Sequence, residues 1–422
     1  MELLVGLGVH MQILFISPYV PNPIRVRPYS FIRFLANLGH DVTLVTIWSE
    51  ENEQKDLQHI RQFCKQVYAF HLPTWRSLLN SIGGIPYFNT PLQAVYCQSS
   101  AVTQQIKNLL DHPTVNFDAV HVEHLRGSRY GLLAKEIIQR NQLKIPVIWD
   151  SVDNISYLFE QAARKSRRRI NRLITLFELN RTRKYERWLT SKFKQILVTS
   201  KNDRMAFLRL LDGSQKQIVE ERVHVLPNGV DLDYFHPLTD QIKESHSIVI
   251  SGKMSYHANI TMSLFTIQQI MPLVWKELPD AKLYVVGKNP PEEIIRFGAD
   301  PRIIVTGFVE DLRPFLCRAS VSLAPLEYGA GIQNKVLEAM ACGTAVICSS
   351  QAVSALSVDK DVDLIVEDKP YMIAQKIVEL LNDNSLAQKI GMQGRQYVEK
   401  FHNWNQITAD LVNIYQQART NS

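Results

Sequence analysis

The sequence predicts an α/β fold composed of two Rossmann-like domains in tandem. Short apolar runs alternate with longer segments of helical period along the chain, which is typical of parallel sheets covered by helices. This alternation restarts near the middle of the chain, and 422 residues exceed what one ordinary core organises. We therefore expect two domains facing across a cleft, a common location for ligand sites.

The first half contains five apolar runs with the length of buried strands. They are residues 13–17, 42–47, 119–124, 147–150 and 195–200. Apolar residues at helical spacing follow the first run, and Gly39 marks the end of that helix. Residues 223–237 close this half, because Asn228-Gly229 signals a turn and polar residues follow Pro237.

The second half repeats the pattern. Its strand candidates are residues 247–252, 281–287, 302–307, 320–325, 344–350 and 364–368. Several of these runs lead into glycine or proline at their carboxyl ends, where open α/β sheets bind ligands. Apolar residues at spacings of three or four predict one long amphipathic helix over 397–417.

These patterns divide the chain into four parts. Residues 1–10 form an extension, 11–236 the N-terminal domain and 237–396 the C-terminal domain. Residues 397–422 form the C-terminal helix, which we expect to pack back on the N-terminal domain.

Composition indicates a cytoplasmic globular protein. No run approaches the roughly 20 apolar residues that span a bilayer. The opening residues lack a basic segment and a small-residue cleavage site, so we expect no signal peptide. The five cysteines show no CxxC spacing, which favours reduced thiols over a structural zinc site.

Residues 324–347 are the most informative segment. Gly329 and Gly331 would let backbone approach a ligand closely, and a helix is predicted from Gln333 to Cys342. The free N–H groups and dipole at the start of that helix favour a phosphate group. The segment therefore predicts a phosphate site.

Two charged residues of this helix fit a nucleotide ligand. Lys335 lies in the first turn, where a cation is unfavourable unless a bound diphosphate reverses the penalty. Glu338 lies one turn further along the same face and can accept hydrogen bonds from ribose hydroxyls. The alternative interpretation is a solvated ion pair between these two residues.

Residues 324–347 resemble the nucleotide-sugar motif of the retaining family 4 glycosyltransferases, which have the GT-B fold. Residues 223–237 resemble that family's domain junction, and the segment from Ile13 to Thr46 resembles its first β-α-β unit. The resemblance implies donor binding by the C-terminal domain and acceptor binding by the N-terminal domain. It also implies retention of configuration without a metal or other cofactor.

The resemblance implies transfer of a hexose-type sugar from a nucleotide diphosphate sugar to a glycan or lipid-linked acceptor, in polysaccharide or glycoconjugate biosynthesis. The family motif has two glutamates separated by seven residues; Glu338 matches the second, but Ala330 occupies the first position. A subset of the family has a G-x-G-I loop, which GAGIQNK matches, so we interpret Ala330 as a subfamily trait. Ile332 and Gln333 of this loop join the predicted donor-binding residues.

A second departure follows the strand at 247–252. The family has an arginine after the glycine that corresponds to Gly252, and here that residue is Lys253. The family's later lysine is absent, and Asn259 stands nearby. We hypothesise that Lys253 and Lys335 neutralise the diphosphate leaving group, the alternative for Lys253 being an ordinary surface cation. The resemblance also implies that Val309 frames the base.

The N-terminal half offers candidates on the acceptor side. Many relatives have a histidine at the end of the strand that corresponds to 119–124, where this chain has Glu123 and His124. Either residue could contact the transferred sugar or assist the acceptor, or simply form structural hydrogen bonds. Arg27, in the proline-rich segment 18–30, is a candidate for a phosphate or the acceptor, and otherwise a surface arginine.

A basic segment lies between Arg164 and Arg187. It contains ten lysines and arginines but only two acids, Glu178 and Glu186. One interpretation is a helix attracted to an anionic membrane surface at the inner face of the membrane. The other is an ordinary helix with its apolar stripe in the core. Nucleic acid is not an expected partner, because no recognition motif accompanies the charge.

Two other functions remain open on the same architecture. A non-hydrolysing nucleotide-sugar 2-epimerase would need acid/base carboxylates near the sugar, and Ala330 argues against it. A non-catalytic nucleotide-sugar-binding relative is the second alternative, which Ala330 leaves possible.

Overall fold

The computed structural model describes residues 10–86, 89–112, 114, 116–165, 169–239, 241–328 and 331–420. The chain divides into two compact units. The first unit runs to Pro227 and includes the chain again from Asn405, and the second spans Asn228–Trp404.

The first unit is built on a parallel sheet with seven strands among the described residues. The strands are β1 Gln12–Ser17, β2 Asp41–Trp48, β3 Gln66–His71, β4 Ala119–Glu123, β5 Val147–Val152, β6 Gln195–Val198 and β7 Val223–Val225. Their order is β3-β2-β1-β4-β5-β6-β7. The central strand β4 is buried at every position, as expected of a strand covered on both faces.

Helices connect these strands. They are α1 Val26–Asn37, α2 Glu53–Arg61, α3 Thr74–Gly84, α4 Leu92–Tyr96, α5 Ser100–Leu110, α6 His124–Arg140, α7 Ile155–Lys165, α8 Arg169–Lys192, α9 Lys201–Arg209 and α10 Gly213–Glu220.

The second unit has a parallel sheet of order β10-β9-β8-β11-β12-β13. Its strands are β8 Ser247–Ser251, β9 Lys282–Val286, β10 Ile303–Gly307, β11 Val321–Ala324, β12 Ala345–Cys348 and β13 Ile365–Val366. Its helices are α11 His257–Phe265, α12 Met271–Glu277, α13 Glu292–Ile295, α14 Arg313–Arg318, α15 Asn334–Ala341, α16 Pro370–Asn382 and α17 Asn384–Phe401.

Each sheet has a position where its strand order reverses. The reversal falls between β1 and β4 in the first unit and between β8 and β11 in the second. At such a reversal, the loops that follow the two neighbouring strands run in opposite directions. The crevice between these loops, at the carboxyl ends of the strands, is the usual ligand site of open α/β sheets. These two positions are therefore where functional side chains are expected.

The predicted pair of Rossmann-like domains is confirmed, and each predicted strand is present. Two further strands, β3 and β7, were not predicted. Strand β3 lies at a sheet edge, where its end residues are exposed and the residues between them are only partly buried. Strand β7 has only three residues, at the opposite edge.

The prediction of one continuous helix over 397–417 is wrong. Helix α17 ends at Phe401, and a separate helix, α18, spans Trp404–Thr420. Tertiary hydrogen bonds accompany the break: the His402 carbonyl accepts from Val230 N–H at 2.7 Å, and His402 Nδ1 lies 2.7 Å from the Asn228 carbonyl oxygen.

The boundary between the two units lies between Pro227 and Asn228, ahead of the expected boundary at 236/237. The contacts of His402 with Asn228 and Val230 agree with this position. A side chain at Gly229 would have its Cβ 2.8 Å from the His402 carbonyl, so the Asn228-Gly229 turn packs tightly within the second unit. Most of α18 belongs to the first unit, where Tyr415 Oη lies 2.8 Å from His121 Nδ1. Across the described ranges, no helix combines the length and apolarity needed to cross a bilayer.

Candidate functional site

Glycine is required at two adjacent turns in the second unit. Gly252 follows β8 with φ +146°, and a Cβ there would lie 2.7 Å from the side-chain nitrogen of Asn259 and 3.4 Å from Lys335 Cε. Gly287 follows β9 with φ +148°, and a Cβ there would lie 1.7 Å from the Gly252 carbonyl oxygen. Bare backbone therefore borders the side chains of Asn259 and Lys335.

Asn259 joins the two segments predicted to hold the donor phosphates. Its Oδ1 accepts a hydrogen bond from Lys335 Nζ at 2.8 Å. Its Nδ2 donates to the Lys253 carbonyl at 2.9 Å. Asn259 is buried at the start of α11, so these bonds fix the Lys335 ammonium beside the turn at Gly252. The sequence had indicated only that Asn259 stands near this turn.

Burial disfavours the charged forms of Lys335 and Glu338. It lowers the pKa of Lys335 to about 8, against the opposing effect of the Glu338 charge. It raises the pKa of Glu338 to about 7, against the opposing effect of Lys335. Within the described part of the chain no ion pair joins them, so the alternative of a solvated pair is wrong. A cation held by a neutral amide is suited to an anionic ligand.

The start of α15 supplies further polar groups. Gly331 has φ +69°, and Gln333, the residue before the helix, donates from Nε2 to the Gly331 carbonyl at 3.4 Å. Asn334 Oδ1 is buried and accepts no hydrogen bond from the described residues. A buried amide oxygen without a partner is costly unless a ligand satisfies it. Gly329, a predicted donor-binding residue, and Ala330 lie outside the described residues.

The segment before these residues is anchored to α11. The hydroxyl of Tyr328 lies 3.1 Å from Thr261 Oγ1 and also contacts His257 Nδ1. We define the donor loop as residues 325–333. Because α11 also carries Asn259, one helix contacts both Tyr328 within this loop and Lys335 just beyond its end. No local sequence pattern indicates these contacts, since they join residues far apart in the chain.

The remaining predicted donor residues differ in their surroundings. Lys253 is exposed beside Gly252. Val309 follows β10 and is partly buried against the core of the second unit. The side chain of Ile332 is buried in that core, so Ile332 could contact a donor only through its backbone.

In the first unit, Glu123 ends β4 beside the loop that follows β1. Tyr19 donates from its hydroxyl to Glu123 Oε1 at 2.9 Å, while Oε2 is buried and has no hydrogen-bond partner in the described structure. Burial, reinforced by the Asp150 charge, raises the pKa of Glu123 to about 8. Glu123 is therefore a neutral acid at pH 7.

His124 was predicted to end a strand, but it is the first residue of α6. Its φ of 64° is unusual for a residue other than glycine, and such strain concentrates at functional sites. Its Nδ1 accepts from Arg126 N–H at 3.3 Å. Burial lowers the pKa of His124 to about 3, so the imidazole is neutral at pH 7.

The predicted ligand role of Arg27 is contradicted. Arg27 is the second residue of α1, only 3% exposed, and its Nε donates to Asp150 Oδ2 at 2.7 Å. Its Nη1 donates to the Leu226 carbonyl at 2.9 Å. Burial alone would raise the pKa of Asp150, but Arg27 and His121 outweigh it and lower that pKa. Arg27 is therefore a structural ion-pair partner.

The basic segment is partly neutralised by contacts within the first unit. Arg181 is buried and pairs with Glu178, Arg183 pairs with Glu160, and Arg187 pairs with Asp212. Tyr185 and Leu189 lie in the core, so the core-stripe interpretation holds for this part of α8. Residues 166–168 lie outside the described residues.

Comparison with known proteins finds two family models that match this chain. A family model described as Glycosyltransferase Family 4 matches residues 25–234. A model described as Glycosyl transferases group 1 matches residues 245–383. Together the two models cover most of the chain.

Individual relatives are distant. The chain is 20% identical over 391 residues to an uncharacterized 44.6 kDa protein in the cps region of Klebsiella pneumoniae, covering 90% of this chain and 92% of that protein. It is 27% identical over 213 residues to a GDP-mannose-dependent monoacylated alpha-(1-6)-phosphatidylinositol monomannoside mannosyltransferase of Corynebacterium glutamicum, covering 45% and 55%. HepE of Anabaena, solved with UDP and glucose, has a TM-score of 0.65 at 13% identity, covering 97% of this chain and 100% of HepE.

Proposed function

We propose that this chain, which belongs to the glycosyltransferases with the GT-B fold, transfers a hexose-type sugar from a nucleotide diphosphate to a glycan or lipid-linked acceptor with retention of configuration. Polysaccharide or glycoconjugate assembly is the proposed setting. The proposal rests on the two family models and on the resemblance of the donor loop to the family motif.

One observation carries the donor assignment. Lys335 Nζ, held 2.8 Å from Asn259 Oδ1, lies beside the backbone of Gly252 at the strand-order reversal of the second unit. A diphosphate there would meet the ammonium group and the amino-terminal end of α15 together. Glu338, one turn along that helix, would accept hydrogen bonds from the ribose.

The reaction would break the bond between the anomeric carbon and the diphosphate oxygen. Negative charge then develops on the leaving group, and Lys335, Lys253 and the α15 dipole would stabilise it. These groups replace the charge that a metal ion would supply, so we propose that no metal is required. Activity that persists in EDTA after gel filtration would agree, and activity restored only by a divalent ion would contradict this.

His124 and Glu123 are proposed to act in the first unit by binding and positioning. Glu123 is a neutral acid at pH 7 and cannot accept a proton in that state. The His124 imidazole, with its pKa lowered to about 3, is a weak base. We therefore propose that His124 contacts the sugar or acceptor, and that Glu123 fixes the adjoining loop through Tyr19.

Proteins similar to this chain differ in base and sugar. HepE was solved with UDP and glucose, and the corynebacterial relative depends on GDP-mannose. A donor panel should therefore contain UDP-, GDP-, ADP- and dTDP-sugars, with thermal unfolding as the first readout because a bound ligand raises apparent stability by mass action.

The nucleotide sugar that raises the unfolding temperature is then used in a turnover assay. Slow release of nucleoside diphosphate without an acceptor, accelerated by an oligosaccharide or lipid-linked acceptor, supports transfer. Isomerisation at C2 of the sugar would instead identify an epimerase. Binding with neither reaction would identify a nucleotide-sugar-binding protein.

We also propose that residues 164–187 contact an anionic membrane surface, as a lipid-linked acceptor would require. Support comes from the cations at 164–172, which precede the internally paired arginines of α8. Binding to anionic vesicles that weakens with salt is the expected result, and equal binding to neutral vesicles would contradict it.

A further inference from the structure

Helix α3 exposes an apolar stripe. Four of its residues are each more than half exposed and occur at spacings of three, four and seven along the helix: Trp75, Leu78, Leu79 and Ile82. We define these four as the α3 face. Residues at this spacing share one side of a helix, and a surface helix normally turns that side toward the core.

The opposite side of α3 contacts the protein through small and polar residues. Ser77 is buried, and Asn80 Nδ2 donates to the Tyr96 and Gln98 carbonyls, the latter at 2.9 Å. A Cβ at Gly84 would lie 2.8 Å from Val95 Cγ2, so the end of the helix packs closely on α4. The helix is therefore held with its apolar side outward, which is the reverse of the usual arrangement.

Exposed charge on this helix is positive, and Glu178, which pairs with Arg181 near the end of the helix, is buried. No aspartate or glutamate occurs between Asp56 and Asp111, whereas Arg76 lies within α3 and is exposed. The basic helix α8 is fixed to the end of α3, because Arg181 Nη2 donates to the Gly84 carbonyl at 2.7 Å.

Helix α8 also exposes apolar side chains. Leu176 and Phe177, the latter stacked with Arg181, are exposed on α8. The cations at 164–172 precede them in the same segment of the chain. An apolar helix face that carries an exposed arginine and no acidic residue of its own is complementary to an anionic lipid surface.

We propose that the α3 face inserts into the interfacial layer of an anionic bilayer and anchors the first unit there. The inference deepens the proposed membrane contact of 164–187 and rests on the same function, a transferase acting on a lipid-linked acceptor. A second copy of the chain is a poorer occupant, since two such faces would bring Arg76 and its neighbouring cations against each other.

Vesicle flotation tests this anchor. The triple variant Trp75→Ser/Leu79→Ser/Ile82→Ser alters only exposed side chains, and Ile295→Ser/Tyr371→Ser/Met392→Ser removes comparably exposed apolar groups from the second unit as a matched control. With vesicles of phosphatidylcholine and phosphatidylglycerol, we expect the α3 variant to lose at least about tenfold in partitioning, because apolar burial drives interfacial binding. The control should remain within about twofold of the wild type.

Several results would overturn the proposal. One is wild-type protein that floats with neither anionic nor neutral vesicles. A second is an α3 variant that floats as the wild type does. A third is a wild type that is dimeric in solution and becomes monomeric in the α3 variant. Unfolding temperature and donor-dependent nucleotide release, both expected to be unchanged, establish that the variant is folded.

A further variant separates the two membrane proposals. Arg169→Gln/Arg172→Gln lowers the charge of the basic segment without altering the α3 face. Flotation unchanged by this variant but lost in the α3 variant would refute the contact of 164–187 and support the α3 anchor. Loss in the charge variant alone would refute the α3 anchor.

Discussion

Lys335 Nζ donates a 2.8 Å hydrogen bond to Asn259 Oδ1, although 76 positions separate the two residues in the chain. Asn259 lies at the start of α11, and Lys335 lies in the first turn of α15, which follows the donor loop. The bond places an ammonium group beside the turn at Gly252 from a different part of the chain.

Substitution of this lysine should impair catalysis more than folding. We expect Lys335→Ala to lower kcat by about 100- to 1,000-fold, the usual cost of removing a group that stabilises transition-state charge. Asn259→Lys in the same chain should recover about tenfold, because its ammonium can occupy the neighbouring position. Nucleotide release under donor saturation measures both effects.

The control for this series is Lys389→Ala, which removes an exposed lysine from α17. Its kcat should equal that of the wild type. Near-normal turnover in Lys335→Ala, with an unfolding temperature also unchanged, would remove Lys335 from the mechanism.

The dependence of donor kcat/KM on pH should be bell-shaped. Glu338, with its pKa raised to about 7, must ionise to accept strong hydrogen bonds from the ribose, so activity rises through that pH. Lys335, with its pKa lowered to about 8, loses its charge as the pH rises further, so activity then falls. The pH dependence of kcat/KM reports groups of the free enzyme.

Two variants test which residue causes the rise of kcat/KM at low pH (the acid limb) and which causes its fall at high pH (the alkaline limb). Glu338→Gln should abolish the acid limb, and Lys335→Arg should move the alkaline limb upward because arginine stays protonated. A wild-type profile that is flat between pH 6 and 9, or limbs that neither variant moves, would refute the assignment.

Loss of Arg27 should destabilise the first unit. Arg27→Ala leaves Asp150 buried and without its main counter-charge, which costs about 3–5 kcal/mol in unfolding free energy. Urea unfolding measures this cost, and Arg25→Ala, which removes a more exposed ion pair, should cost about 1 kcal/mol or less. Unchanged stability in Arg27→Ala with a selective loss of activity would restore the ligand role that the structure contradicts.

Glu123 should make stability depend on pH. Its ordinary pKa of 4.5 applies to the unfolded chain, whereas the folded pKa is about 8. The folded state therefore retains a proton that the unfolded state releases, and this contribution to stability is lost as pH rises between those values.

Glu123→Gln removes that titration while it retains an acceptor for Tyr19. The variant should lose less stability than the wild type between pH 5 and 8, by about 1–3 kcal/mol. Urea unfolding at both pH values tests this difference. Parallel loss of stability in both proteins would show that Glu123 is not the titrating group.

Much of the fold was predictable from the sequence because buried parallel strands are continuous apolar runs. The edge strand β3 escaped prediction, since its side chains are exposed or only partly buried. The break at His402 also escaped, because it depends on hydrogen bonds to Asn228 and Val230, which lie far away in the chain.

The candidate site was predictable only in part, for a related physical reason. The glycines and the helix start of the donor loop form a local pattern, so residues such as Gly331 and Lys335 stand out in the sequence. Arg27 was misassigned because its partner Asp150 lies 123 positions away, and nothing near Arg27 indicates burial. Tyr19 and Asn334 carry no local signal, since their roles depend on burial and on tertiary contacts.

Calorimetric titration of the nucleoside diphosphate product tests the central claim most directly. If the turn at Gly252 and the start of α15 hold the diphosphate through Lys335, Lys335→Ala should raise Kd by about 10- to 100-fold, the cost of losing a hydrogen bond to a charged group. Lys389→Ala should bind as the wild type does. Equal affinity in the wild type and Lys335→Ala would contradict the account.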